Sequence, residues 1–350
     1  MRSREKEHFY FIDYLRAMAC YLVVLHHCLG YFPNASWVVF YVRHLKPFFP
    51  TVTLYLLISG FVHAGVVQRK IQPYADYVIE KFKRIMVPYF CVSFLTMVLR
   101  IFVEHNRLMP LDEVQYTPFV WGRAGLRLLF SGVEGHYYFL EILFVYLLVF
   151  PAIVRRFSSA RAALLGFLCL LAVDPLLARL CVSLRTTVWS PTTLLVATLS
   201  GFKFFFFGFT LNRCYAWLKP RLLEHGIGVG VSCLFIFVVL HQLLPQGNEY
   251  WVCVQLMGYF AIARALVHGP HPLVSEISGL SFGVYLLHQP YFIKTSRLLL
   301  NPLGLASNLE FVLTWLLTIA LTTVAIKLLD GNRLAARFLL GKAVPRLATT

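Results

Sequence analysis

The sequence predicts an all-α polytopic membrane protein, with about ten transmembrane helices around a polar interior cavity and both termini in the cytoplasm. Composition is the first ground. Of the 350 residues 59% are hydrophobic and only 14% charged, whereas a soluble chain is about half apolar and a quarter charged. The second is a recurrence of apolar runs of roughly 20 residues, the length that crosses a bilayer. These runs are continuous rather than alternating, which excludes a transmembrane β-barrel. The third is the placement of the basic residues, which depends on where the spans fall.

Spans are expected at roughly 9–30, 49–69, 85–104, 137–154, 162–182, 193–212, 226–244, 250–268, 280–297 and 308–328. With the N-terminus inside, 20 of the 32 Lys and Arg residues fall on the cytoplasmic side. About ten fall on the other side, and Arg16 and Lys203 lie within spans. Such a bias sets the orientation of a membrane protein. The formal net charge of +16 would suggest nucleic acid in a soluble chain; here it reads as topology, and no nucleic-acid partner is expected.

Taken in order, the start "MRSREKEHFYF" has the basic-then-apolar look of a signal peptide. Asp13 and Arg16 interrupt the apolar run and further spans follow, so a retained first helix is expected. Pro88 stands at the start of the third span, where proline is tolerated. The longest polar stretch, about His105 to Gly135, is expected outside, and "GIGVGV" from Gly226 opens span seven with small residues that let helices approach closely. The whole chain, 1–350, reads as one membrane domain ending in a short basic cytoplasmic tail, 329–350. Its eight cysteines are scattered singly with no CxxC or Cys/His spacing, so buried small residues are expected and no metal site. "Asn34-Ala-Ser36" is a formal glycosylation triplet too common to carry an argument.

Function is signalled by polar residues where hydrocarbon penalises them. An ionised side chain at mid-bilayer costs about 3 kcal/mol or more, so such residues mark functional sites. Arg16 and His27 lie eleven residues apart on the first helix. At about 100° and 1.5 Å per residue they share a face, separated by roughly 16 Å, and His26 points away. Asp13, three residues before Arg16, is within reach of an ion pair. His63 and the set Lys81, Lys83 and Arg84 sit near the inner side, and His136 and Glu141 enter the fourth span from outside. Lys203 and His288 lie well inside, while Asp174 and His241 lie closer to the outer interface and read as structural. This pattern marks a catalytic chamber or a transport path. A secondary transporter is the alternative reading, weakened by the absence of paired repeats with broken helices.

Several stretches, in order, carry a resemblance to the acyltransferase-3 family of membrane acyltransferases. "IDYLRAMACYLVVLHH" is similar to that family's first-helix pattern of Arg followed by His, which selects Arg16 and His27. "LYLLISGF", with Ser59, resembles its Ser-Gly-Phe stretch, and "KFKRIMVPYF" its basic pair before a proline, here Lys81 and Arg84. "GHYYFLEILFVYLLVFP" resembles its His-x-Trp-Phe-Leu stretch, with Tyr138 where Trp is frequent, and "SFGVYLLH" its Tyr-Leu-x-His signature. The resemblance covers about residues 9 to 328. No esterase-like domain follows span ten in this chain, so a standalone enzyme is implied.

That resemblance implies O-acyl transfer from cytoplasmic acyl-CoA, acetyl-CoA first, to a hydroxyl of a glycan or lipid-linked sugar at the outer face. It implies a multi-pass protein of the bacterial inner membrane, with no permanently bound cofactor. Arg16, Lys81, Arg84 and Ser59 are then the donor-binding set; guanidinium grips phosphate through paired hydrogen bonds and lysine adds point charge. His27 is the expected general base, since imidazole has an ordinary pKa of about 6.5, and an acyl-histidine intermediate stays open. His136, Glu141 and His288 are candidates to orient His27 or to stabilise the oxyanion.

Overall fold

Every element of the described residues is helical. The computed structural model describes residues 8–69, 72–105, 134–184, 191–243 and 250–342. Thirteen α-helices run as α1 (Tyr10–Leu29), α2 (Ser36–Phe40), α3 (Val52–Arg69), α4 (Tyr74–Lys81), α5 (Val87–His105), α6 (Tyr138–Arg156) and α7 (Ala160–Leu184). They continue as α8 (Pro191–Leu243), α9 (Tyr250–Leu266), α10 (Pro272–Leu287), α11 (Lys294–Leu300), α12 (Ser307–Asp330) and α13 (Arg333–Leu340). By length and composition, seven helical stretches among the described residues are long and apolar enough to cross a membrane, and two shorter apolar helices accompany them. The polar stretch expected at about His105 to Gly135 lies, but for its ends, outside the described residues, as do Arg2, Arg4, Lys6, Lys70 and Arg346.

The apolar surface is that of a membrane protein. Helix α7 leaves Leu165 and Leu176 63% and 64% exposed, in a region where a water-soluble protein would bury them. Inward, α1 packs against α3, α9, α10 and α12, so the helix carrying Arg16 and His27 lies at the centre of the bundle. Its contacts put it parallel to α10: residues 13 and 16 meet Ser278, while residue 27 meets His288.

Two glycines allow α3 and α8 to run almost backbone to backbone. A Cβ at Gly60 would lie 1.9 Å from the Phe205 carbonyl oxygen, and one at Gly208 1.9 Å from that of Leu57. Only hydrogen fits on either side, the membrane mode of close helix packing. Gly226 and Gly230 serve α8 against α9 likewise, with added Cβ atoms 2.8 and 2.9 Å from the carbonyls of Ala261 and Gly258. Gly228 between them meets nothing within 4 Å, so "GIGVGV" works as alternate small residues.

Helix α8 has 53 residues, and a straight helix of that length would span about 80 Å. Its contacts show that it folds back. Gly201 abuts Leu56 near one end of α3, and Phe237, 36 residues later, returns to Phe48 just before that same end. Tyr215 and Gly226 both reach consecutive residues of α9, Phe260 and Ala261. The reversal therefore lies between Tyr215 and Gly226, where Pro220 removes one helical hydrogen bond. This is where the sequence places an inner loop; the chain turns there without leaving the helix.

Candidate active site

Two polar clusters occupy opposite ends of the α1–α10 pair. At the first, Arg16 Nη1 stands 3.7 Å from Asp13 Oδ1 and donates to Ser278 Oγ at 3.2 Å. Ser278 donates in turn to Asp13 Oδ1 at 2.7 Å, and His8 Nε2 lies 2.6 Å from Asp13 Oδ2. The carboxylate accepts from Ser278 of α10 and from His8 just before α1, and pairs with the guanidinium one turn along its own helix. The Arg16 side chain keeps 29% exposure, and Asp13 and Ser278 do not use all of its fork donors. A planar guanidinium carries five N–H donors. The site has capacity left for an anion.

Lys81 is buried beside this end, 3.6 Å from Glu80 and 5.3 Å over the Tyr77 ring. Arg84 is exposed on the π-helical turn Phe82–Met86 that follows. Ser59 lies one turn before His63 on α3, and its carbonyl accepts from His63 Nδ1 at 2.8 Å. That bond accounts for His63. Among the described residues no hydrogen bond joins Ser59 to Arg16.

At the other end three imidazoles meet. Ring centroids lie 5.3 Å apart for His27 and His136, 5.1 Å for His27 and His288, and 5.2 Å for His136 and His288. Three separate segments supply them: α1, the 3-10 turn Gly135–Tyr137 before α6, and the π-helical turn His288–Ile293 after α10. His26 is turned away from the triangle and bonds the Tyr41 hydroxyl at 2.8 Å. Among the described residues no group of His, Cys, Asp or Glu is placed to hold a metal ion.

The local chemistry of His288 fixes its tautomer. Nδ1 faces the carbonyls of Val284 and Tyr285 at 2.8 and 3.0 Å. Both are acceptors, so Nδ1 carries the hydrogen. Nε2 is then the acceptor nitrogen of the neutral ring, buried and without a hydrogen-bond partner among the described residues. The π turn also contains Pro290, which has no N–H to offer the carbonyl four residues back, that of Leu286. The Tyr137 hydroxyl donates to that carbonyl at 2.9 Å. Reciprocally, the Tyr285 hydroxyl donates to the carbonyl of His136. The two tyrosines brace the segments bearing His136 and His288 against each other.

Glu141, four residues past Tyr137, is buried and accepts from the Tyr89 hydroxyl of α5 at 2.6 Å. That bond ties α6 to α5. Lys203 is paired with Asp174 at 2.9 Å, both buried, which makes one structural link between α7 and α8. The structure thus brings His27, His136 and His288 together at one end and Arg16, with Asp13, at the other. Sequence reasoning missed Ser278, Tyr137 and Tyr89. Tyr137 and Tyr89 stand inside stretches singled out on sequence, yet a tyrosine in an apolar helix carries no signal until its hydroxyl finds a carbonyl. Ser278 is one of three serines in "SEISGLS", and only the helix pairing selects it.

Comparison with curated proteins and with solved structures returns no match. A family model described as an acyltransferase domain matches residues 9–329, nearly the whole chain and all of both clusters but His8. The protein belongs to the acyltransferase-3 family of membrane acyltransferases.

Proposed function

We propose that the protein is an O-acyltransferase that passes an acyl group, acetyl first, from cytoplasmic acyl-CoA to a hydroxyl of a glycan or lipid-linked sugar at the outer face. In this reading the chain crosses the membrane about ten times with both termini in the cytoplasm, as a protein of the bacterial inner membrane. One observation supports it above the others: two parallel helices carry a guanidinium cluster at one end and an imidazole cluster at the other. The separation, roughly 16 Å along α1, is comparable to an extended pantetheine arm.

Arg16, held by Asp13 and Ser278, binds a phosphate of the donor with the fork donors left over. Lys81 and Arg84 add positive charge at the same end. The thioester then lies at the imidazoles. His27 takes the proton of the acceptor hydroxyl as its oxygen attacks the thioester carbonyl; the C–O bond forms, the C–S bond breaks, and the proton passes to the departing CoA thiolate. His288 presents an oriented acceptor nitrogen beside His27, and His136 closes the triangle. Glu141, bonded to Tyr89, positions α6 and is assigned no proton transfer.

The test is incubation of membranes containing the protein with radiolabelled acetyl-CoA. Label appearing in a glycan or glycolipid, and absent with His27→Ala at equal protein level, is the expected result. Equal labelling by His27→Ala would remove His27 from the mechanism.

A further inference from the structure

Helix α13 follows α12 after only Gly331 and Asn332, at the Arg16 end, where Lys327 of α12 pairs with Glu276, two residues before Ser278. Both its ends are fixed. Asn332 Oδ1 accepts from the backbone N–H groups of Leu334 and Ala335 at 3.0 and 3.1 Å, a side-chain N-cap. Gly341 ends the helix at φ 63°, where a Cβ would lie 2.2 Å from the carbonyl oxygen of Arg84. One face, Ala336 and Leu340, is buried, with Leu340 against Gly283.

The opposite face is unusual in two ways. Leu334 and Phe338, one turn apart, stay 66% and 41% exposed. Beside them Arg333 and Arg337, also one turn apart, are exposed on a helix with no acidic residue. Nearby lysines are neutralised: Lys327 by Glu276 at 2.5 Å and Lys342 by Asp330 at 2.7 Å. Among the described residues neither arginine has a carboxylate within ion-pair distance.

We propose that this face is a docking surface for the headgroups of acidic phospholipids. Leu334 and Phe338 enter the acyl region, while the two guanidiniums grip lipid phosphate and the net negative headgroup. A short amphipathic helix with basic residues beside its apolar face is built for that interface, and each basic residue near an acidic leaflet adds roughly a fivefold preference. Because Gly341 rests on the Arg84 backbone, an occupied surface steadies the turn that bears Arg84. The inference needs only that the chain is a membrane protein, and stands whether or not the acyl-transfer reading holds.

The experiment measures lipid retention by the full-length, delipidated protein in detergent, offered phosphatidylglycerol or phosphatidylcholine of equal chain length. Wild type is expected to retain phosphatidylglycerol about tenfold better or more. The double variant Arg333→Gln/Arg337→Gln is expected to lose that preference while keeping its thermal unfolding temperature. The variant Leu334→Ser/Phe338→Ser is expected to weaken both lipids. Equal retention of the two lipids by wild type would overturn the proposal, as would an undiminished preference in the arginine double variant. Displacement of phosphatidylglycerol by millimolar inorganic phosphate alone would also overturn it, by showing a site for free anions rather than lipid.

Discussion

The two ends of the α1–α10 pair are built on different principles. At the Arg16 end a charged pair is wired through side chains, with Asp13 accepting from Ser278 and facing Arg16. At the other end backbone carbonyls do the holding: those of Val284 and Tyr285 accept from Nδ1 of His288, and those of Leu286 and His136 accept from the tyrosines. The contrast suits the tasks proposed for the two ends. A permanent cation in an apolar bundle needs a permanent counter-charge. A proton-transferring imidazole needs a fixed orientation and a free nitrogen, and a neighbouring carboxylate would tie that nitrogen down.

Substitutions at the two ends are expected to change different kinetic constants. The largest effect is expected at the imidazoles. His27→Ala and His288→Ala should each lower kcat by about a hundredfold or more with little change in donor KM, as measured by initial rates against acetyl-CoA concentration. Next, Asp13→Asn and Arg16→Ala should raise donor KM by about tenfold or more, since a charge-assisted phosphate contact is lost or disordered. Proportional loss of kcat in Arg16→Ala would blur the two ends into one. Removal of a single hydroxyl should be milder. Tyr137→Phe and Tyr285→Phe should each cost about tenfold in kcat, with the double variant showing a cost that differs from the sum of the two, as for partners in one brace. The smallest catalytic effect is expected away from both ends. Lys203→Met strands a buried carboxylate and should destabilise the protein by about 3 kcal/mol, while the kcat of the folded fraction stays near wild type.

Much of this was legible in the sequence. The membrane class and the shared face of Arg16 and His27 follow from composition and helical period, because a helix maps spacing directly onto geometry. His136 and His288 were singled out as polar residues in apolar runs, but their meeting with His27 was not readable, since it depends on three helices far apart in the chain. The same limit hid Ser278. Glu141 was singled out as a buried acid, but the tyrosine hydroxyl that it accepts from, that of Tyr89, was not readable from spacing. Helix α8 was legible as two arms with a polar inner segment, yet the continuity of helix through the reversal at Lys219–Pro220 was not, because proline usually reads as a stop.

The central claim is a division of labour between binding at one end and chemistry at the other. Equilibrium binding of labelled acetyl-CoA to purified His27→Ala and Arg16→Ala proteins, alongside turnover of each, tests it most directly. The account predicts that His27→Ala binds donor as tightly as wild type and makes no product, while Arg16→Ala binds about tenfold more weakly. Weakened binding in His27→Ala with unaltered binding in Arg16→Ala would contradict it.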